Sequence, residues 1–226
     1  MKKYSYNIEE YSFADLVREA LECELLNEAH CLLPEDVEYN EVFNIDNDNA
    51  TWFHKKFYNR LNGGWEEFMN VYDSFVENEV SKHFDDKLVY QARPTFRIHL
   101  PDNVAVGAYE NRESGFHRDS DPGYDHPVEE INIYLPLTEA FGTNTLWAET
   151  EEGKEDYKPM SAAYGEYYIW KGSKLSHGNK LNSTNQTRVS FDFRIIPKSS
   201  YNPEDYKTSR SANKKFVIGD YYSEVR

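Results

Sequence analysis

Basic charge is scarce in this sequence. Forty acidic side chains stand against 25 lysines and arginines, a net charge of −15. A surface of that sign repels phosphate backbones and anionic headgroups, which argues against nucleic-acid and membrane-surface binding. A small basic pocket inside an acidic shell stays compatible with it. Cysteine is scarcer still, with only Cys23 and Cys31. Both fall in a segment that reads as one amphipathic helix, where thiols eight residues apart are too distant to bridge. The expectation is two reduced core residues, consistent with a cytoplasmic protein. Long apolar runs are missing too. No stretch approaches a bilayer span, and the opening Met1-Lys2-Lys3-Tyr4-Ser5-Tyr6-Asn7 has lysines with no apolar segment behind them. No internal repeat is visible.

What is present suffices for a folded domain. The chain has 226 residues and is 39% hydrophobic, which fits one domain with a real core. Its 18 tyrosines admit two explanations: a compositional bias that also favours Asn and Lys, or the half-wet walls of a polar cavity. Residues 1–88 read as helix-rich. Leu16, Val17, Ala20, Leu21, Leu25 and Leu26 recur at helical spacing from Phe13 to Leu26. A second helix is expected over Gly64–Phe84, with Asn62-Gly63-Gly64 as the turn before it. The acidic, Asn-rich stretch from Pro34 to Asn49 reads as loop.

From about residue 89 to 197 the period becomes two. Strands are expected within Tyr90–Leu100 (interrupted by Pro94), Val104–Glu110, Glu130–Leu137, Thr143–Glu149, Gly165–Lys171, Leu175–Asn179 and Thr187–Pro197. Short strands with frequent turns point to a jelly roll or sandwich, and helices before strands give an α+β class with the helices on one sheet. Residues 198–226 read as a polar strap around one apolar patch, Phe216-Val217-Ile218.

Chemistry concentrates in three places. In Phe116-His117-Arg118-Asp119, residues i and i+2 share a strand face, so His117 and Asp119 aim at one point. By itself this pair is better explained as a surface turn, because Arg118, Ser120 and Asp121 surround it. Sixty residues later His177 lies in a strand-like context. Two imidazoles and one carboxylate on one side of a metal leave positions open, the ligand set of non-haem Fe(II) oxygenases. The third place is Thr187–Ile195. Val189, Phe191, Phe193 and Ile195 form one face, while Arg188, Ser190, Asp192 and Arg194 form the other. Arg188 follows His177 across an expected hairpin loop at Lys180–Gln186. Its guanidinium fork suits a carboxylate, and 2-oxoglutarate presents one at the end away from its chelating keto acid.

Taken together, Pro94-Thr95-Phe96-Arg97-Ile98-His99-Leu100-Pro101, Phe116-His117-Arg118-Asp119, Glu130-Ile131-Asn132, Leu135-Pro136-Leu137-Thr138, Gly142-Thr143-Asn144-Thr145 and Arg188–Pro197 resemble the Fe(II)/2-oxoglutarate-dependent oxygenase superfamily. Within it they are most similar to the group associated with streptomycin biosynthesis. The resemblance covers about Gln91–Pro197, with an echo at Tyr221-Tyr222. It implies a double-stranded β-helix core of jelly-roll or cupin type, Fe(II) held by His117, Asp119 and His177 at one open end, and 2-oxoglutarate held by Arg188, with O2 as second cosubstrate. Asp119 is present, so halogenation, which in related enzymes requires the carboxylate ligand to be missing, is not expected.

Ser190, Asn132, Tyr134 and Thr145 are further candidates for 2-oxoglutarate. Arg97, His99, Trp147 and Arg118 are candidates for substrate. For each, an ordinary satisfied barrel residue is the competing explanation. His30, His54 and His83 have no ligand partner at suitable spacing. His126 is the decoy for His117, set aside because only His117 has an acid two residues on. Residues 111–127 read as a mobile loop beside the metal that orders on substrate binding. The expected function is oxidation of a small organic substrate, a sugar, aminocyclitol or amino acid, by a cytoplasmic monomer or homodimer with no nucleic-acid or membrane partner. Two rivals remain: a cupin-type metalloenzyme without 2-oxoglutarate, and a non-catalytic glycan-binding jelly roll.

Overall fold

The computed structural model describes residues 1–32, 51–103, 115–209 and 213–225. It is a mixed structure of helices and antiparallel sheet. The strand expected at Val104–Glu110, the loop at Pro34–Asn49 and the first part of the 111–127 loop lie outside the described residues.

Helix α1 (Phe13–Leu21) buries Phe13, Leu16, Val17 and Leu21 on one face. It ends before its apolar pattern does. Glu22 adopts left-handed backbone (φ 53°), and the Cys23 N–H turns back to the Arg18 carbonyl at 2.9 Å. Leu25 is therefore 53% exposed rather than part of the buried stripe. The cysteines share no helix: Cys23 is buried, and Cys31, in a 3-10 segment at Leu26–Leu32, is exposed.

Helix α2 (Trp52–Asn62) has no counterpart in the sequence reading, which leaves His54 in an aromatic segment. Its signals are nevertheless ordinary. The Thr51 hydroxyl caps it by accepting the His54 N–H at 3.2 Å. Phe53, Phe57 and Leu61 recur at helical spacing and are buried. Asn62-Gly63-Gly64 thus closes α2 as well as preceding α3 (Glu66–Ser74). The chain stays helical to His83, widening to a π-helix at Phe75–Val80 and tightening to 3-10 at Ser81–His83.

The large sheet is antiparallel and built around β9 (Arg188–Pro197). One edge of β9 pairs with β4 (Ile131–Pro136). Its other edge pairs with β2 (Leu88–Gln91) and then β3 (Thr95–His99), the halves of the strand interrupted at Pro94. Beyond β4 lies β7 (Glu166–Trp170), and beyond that the edge strand β1 (Lys2–Ser5). On the opposite side β10 (Tyr222–Glu224) adds to β2. A smaller sheet has β5 (Leu146–Ala148) between β6 (Lys158–Pro159) and β8 (His177–Asn179).

The alternation along β9 separates two environments. Val189, Phe191, Phe193 and Ile195 are buried with Phe13, Phe57, Phe68 and Phe75 from the helices. Phe57 stacks on Phe96 at 4.6 Å, and its ring lies 5.5 Å from Phe191. Each such side chain contributes about 1.5–3 kcal/mol by leaving water. The opposite face of the sheet meets the small sheet, where Tyr134, Ala148, Met160 and Trp170 form a separate cluster. At the tail, Phe216, Tyr221 and Tyr222 pack on Val89 and Ile196. No helix among the described residues is long and apolar enough to cross a membrane.

Candidate metal centre

His117, Asp119 and His177 come together, with one possible ligand atom from each within 4.8 Å of the others. Backbone pairing produces the arrangement. The His117 N–H donates to the His177 carbonyl at 3.0 Å, and the His177 N–H donates back to His117 at 2.9 Å. Residues that exchange both bonds stand directly opposite each other, with side chains on the same face. Asp119 follows two residues on, its N–H fixed to the Gly172 carbonyl at 2.9 Å.

Each ligand has one atom occupied and one presented. His117 Nδ1 lies 2.9 Å from the Gly115 carbonyl, and His177 Nδ1 lies 2.9 Å from the Leu175 carbonyl. Those carbonyls only accept, so in the neutral rings Nδ1 carries the proton and Nε2 keeps its lone pair. Asp119 Oδ2 accepts from Asn132 Nδ2 at 2.7 Å and from Arg194 at 3.2 and 3.3 Å. Oδ1 faces the imidazoles, 3.4 Å from His177 Nε2 and 3.8 Å from His117 Nε2. Ligand atoms about 2.1 Å from one ion and at right angles sit about 3 Å apart, so a small inward shift completes the site.

The electrostatics favour the metal-ready forms. Burial and the neighbouring His177 lower the His117 pKa to about 4, so the ring is neutral at pH 7. Burial opposes ionisation of Asp119, but the Arg194 guanidinium outweighs it and holds the carboxyl well below the usual carboxylate range. Arg194 is itself shared, bonding Asp192 at 2.6 Å, and Asp192 bonds Arg97 at 2.7 Å. A buried chain of alternating charge thus ends on the metal-site carboxylate. Tyr124 stacks on His117 at 4.0 Å, and the Trp170 ring meets His177 at 4.7 Å and 88°.

Arg188 lies 2% exposed on the same face of β9. β8 and β9 belong to different sheets, so Lys180–Gln186 is a crossing between sheets rather than the expected hairpin. Arg188 still reaches β8: Nη1 donates to Asn179 Oδ1 at 3.0 Å and to the Asn144 carbonyl at 2.9 Å. Its Nε is buried with no partner among the described residues, and so is the Ser190 hydroxyl. Uncompensated burial of such donors costs about 1–3 kcal/mol each. Tyr134 and Thr145 lie alongside. The Arg188 guanidinium carbon is 5.8 Å from the Tyr134 ring centre, and the Tyr134 hydroxyl is 3.3 Å from Thr145 Oγ1.

The remaining candidates sit elsewhere. Asn132 is engaged at both ends, its amide nitrogen on Asp119 and its oxygen accepting the Gly172 N–H at 3.0 Å. Arg97 is bound to Asp192 within the charge chain. His99 is fully buried, with Nδ1 3.0 Å from the Asn144 carbonyl and Nε2 2.9 Å from the Asn103 carbonyl. Trp147 adjoins Ala148 and so faces away from the small sheet's apolar cluster; it bonds the Gly142 carbonyl and carries Lys180 over its ring at 3.4 Å. Arg118 is half-buried on the Lys174 carbonyl at 3.0 Å. His126 is outside the ligand cluster: its Nδ1 is 2.8 Å from Glu130 and its backbone N–H donates to the Asp119 carbonyl. Glu130 also accepts from Tyr222, which links the C-terminal strand to the segment carrying Asp119. The sequence reading places Arg194 only on the polar face of its strand and misses that Asp119 is one of its partners. The register of β4 on β9 puts Asn132 opposite Arg194, and neither strand shows that by itself.

A mixed helix-and-sheet protein with a His/Asp/His cluster able to hold a metal is the class that fold and site define. No family model matches the chain. The chain is 36% identical over 232 residues to the streptomycin biosynthesis protein StrG of Streptomyces griseus, covering 100% of both. It belongs to that protein's family, the group its motifs resemble. Solved structures give looser likenesses. One is CytC3, at 14% identity and TM-score 0.49, covering 96% of this chain and 92% of that one. Another is AviO1 from Streptomyces viridochromogenes Tue57, at 14% identity and TM-score 0.42, covering 88% and 89%. A third is the nickel complex of the non-haem monooxygenase ThoJ, at 11% identity and TM-score 0.45, covering 91% and 76%.

Proposed function

We propose that this protein is an Fe(II)- and 2-oxoglutarate-dependent oxygenase that hydroxylates, desaturates or cyclises a small polar metabolite. The observation that carries the reading is a pair of complementary sites, one on the small sheet at His177 and one on the polar face of β9 in the large sheet. Two imidazole Nε2 atoms and one carboxylate oxygen converge, Arg188 stands near Tyr134, and the buried Arg188 Nε and Ser190 hydroxyl have no partner among the described residues. In this reading the two sheets form a double-stranded β-helix. The chain acts as one domain, with residues 1–88 as helical support, 89–197 as the core and 198–226 as a strap.

His117, Asp119 and His177 would hold Fe(II), and Arg188 with Ser190 the distal carboxylate of 2-oxoglutarate, with Tyr134 and Thr145 beside it. Iron and cosubstrates together supply the oxidation: substrate C–H, O2 and 2-oxoglutarate become C–OH, succinate and CO2. The protein's own work is geometric and electrostatic. Asn132 and Arg194 occupy Asp119 Oδ2, so Oδ1 is the oxygen that would hold the metal. The Gly115 and Leu175 carbonyls hold both imidazoles in the ligating tautomer. Arg97, His99, Trp147 and Arg118 remain the candidates for substrate contact, of which Arg97 is already joined to the metal-site charge chain.

A relative named for streptomycin biosynthesis supports a sugar, aminocyclitol or amino acid as substrate, in antibiotic or surface-glycan biosynthesis. A cytoplasmic monomer or homodimer without nucleic-acid or membrane partners completes the proposal. Succinate release from 2-oxoglutarate across a panel of those metabolites tests it. Fe(II)-dependent succinate, stimulated by at least one class and suppressed in Arg188→Met, is expected. Oxidation that proceeds without 2-oxoglutarate and survives Arg188→Met would favour the cupin-type alternative. Folded protein with no affinity for Fe(II) would leave only the glycan-binding one.

A further inference from the structure

We propose a second ligand site, for a small hydroxyl-bearing organic anion, in a cavity bounded by β1, the 3-10 turn at Ser81–His83 and the end of β7. Its apolar surface includes Ile131, Ile169 and Phe84. Lys2, Lys171 and Lys174 also line it. None of the three lysines has an ion pair or side-chain hydrogen bond among the described residues, whereas Lys3, Lys56, Lys82, Lys154, Lys198 and Lys207 each have a carboxylate partner. Only Glu152 opposes them in the lining. In a chain with 40 acidic against 25 basic residues, three unpaired ammonium groups around one apolar hollow form a local reversal of sign.

A buried polar chain adds a specific contact. The Tyr167 hydroxyl donates to Glu79 Oε1 at 3.0 Å and lies 2.8 Å from His83 Nε2. The phenol has one proton and Glu79 takes it, so His83 Nε2 must carry the proton that fills the second gap. Burial, reinforced by Lys82, favours the neutral ring. Its Nδ1 is then an acceptor with no protein partner among the described residues, on a residue that lines the cavity. Glu79 and Tyr167 are 8% and 0% exposed, so the groups that hold His83 are themselves buried. Glu79 belongs to the π-helical segment, a distortion that often accompanies a functional site. Trp170 also lines the hollow, and its buried indole N–H has no partner among the described residues.

These groups specify the ligand. Ammonium groups attract a phosphate or carboxylate, His83 Nδ1 accepts from a hydroxyl, and the apolar floor receives C–H faces. A sugar phosphate or sugar acid combines all three. Binding requires no metal, so the site stands or falls separately from the iron reading.

Calorimetric titration of the metal-free full chain with glucose 6-phosphate, gluconate, inorganic phosphate and glucose tests it. Saturable binding of glucose 6-phosphate or gluconate is expected, and the tighter of the two identifies the anionic group. Inorganic phosphate should bind about tenfold more weakly or worse, and glucose not measurably. The Lys171→Ala/Lys174→Ala double variant, at exposed positions that leave folding intact, should weaken binding about tenfold or more, while Arg188→Met changes it little. The proposal is overturned if no organic anion binds saturably, if glucose or phosphate binds equally well, or if the lysine variant retains full affinity. It is equally overturned if Arg188→Met abolishes the binding, which would place the anion beside the metal centre.

Discussion

The two faces of β9 are built from alternate residues of one strand and behave as different materials. One is dry and aromatic, with Phe191 and Phe193 buried among rings from three helices. The other is largely buried but polar, carrying Arg188, Ser190, Asp192 and Arg194, of which Asp192 is only partly buried. The apolar face is fully satisfied by packing. The polar face is satisfied only in part: Asp192 and Arg194 are paired, whereas Arg188 Nε and Ser190 Oγ have no partner among the described residues. Stability is therefore concentrated on one face, and binding capacity held in reserve on the other.

Substitutions on each face should break this contrast in opposite senses. Asp119→Ala should remove measurable Fe(II) binding while leaving the protein folded, as read by calorimetry and circular dichroism. Phe191→Ala should lower stability by about 3–5 kcal/mol in urea titration, because packed neighbours cannot close the cavity, yet retain one metal per chain where it remains folded. Arg188→Met should weaken 2-oxoglutarate by about 10–100-fold, in line with the loss of charge-assisted bonds, with Fe(II) affinity kept and stability unchanged or raised. Asn132→Ala should cost about 10–100-fold in metal affinity through release of Asp119 Oδ2.

The smallest effect is in pH. Burial, with the nearby Arg188 charge, depresses His99 to about 3 from its usual 6.5. Between those values the unfolded chain takes up a proton that the folded chain refuses, so stability falls as pH drops through this window and is insensitive above it. Urea midpoints at pH 7 and pH 5 should differ less in His99→Gln than in the unsubstituted protein.

The same contrast explains what was legible in the sequence. Alternation in Arg188–Pro197 and Ile131–Pro136 is a period of two with one face buried, so both strands and their inward residues could be read directly. The metal-site residues were legible as a pattern of residue types, although nothing in sequence spacing shows that His117 and His177 pair as a bridge. Helix α2 was lost because its aromatic stripe sits among polar residues and its closing Gly63-Gly64 was assigned to the next helix. The early end of α1 was lost because left-handed backbone at Glu22 leaves no signature in a residue that usually continues a helix. The roles of Asn132 and Arg194 depend on which strands are neighbours, information that lies in register rather than in either strand alone.

The central claim is that the two sheets together join a metal, held at His177 on the small sheet, to 2-oxoglutarate, held by Arg188 on the large one. Anaerobic absorption spectroscopy on addition of Fe(II) and then 2-oxoglutarate tests it most directly. The account predicts a visible charge-transfer band that requires both additions, is absent in Asp119→Ala and is weak in Arg188→Met at the same 2-oxoglutarate concentration. Folded wild-type protein that binds Fe(II) and shows no such band would contradict it.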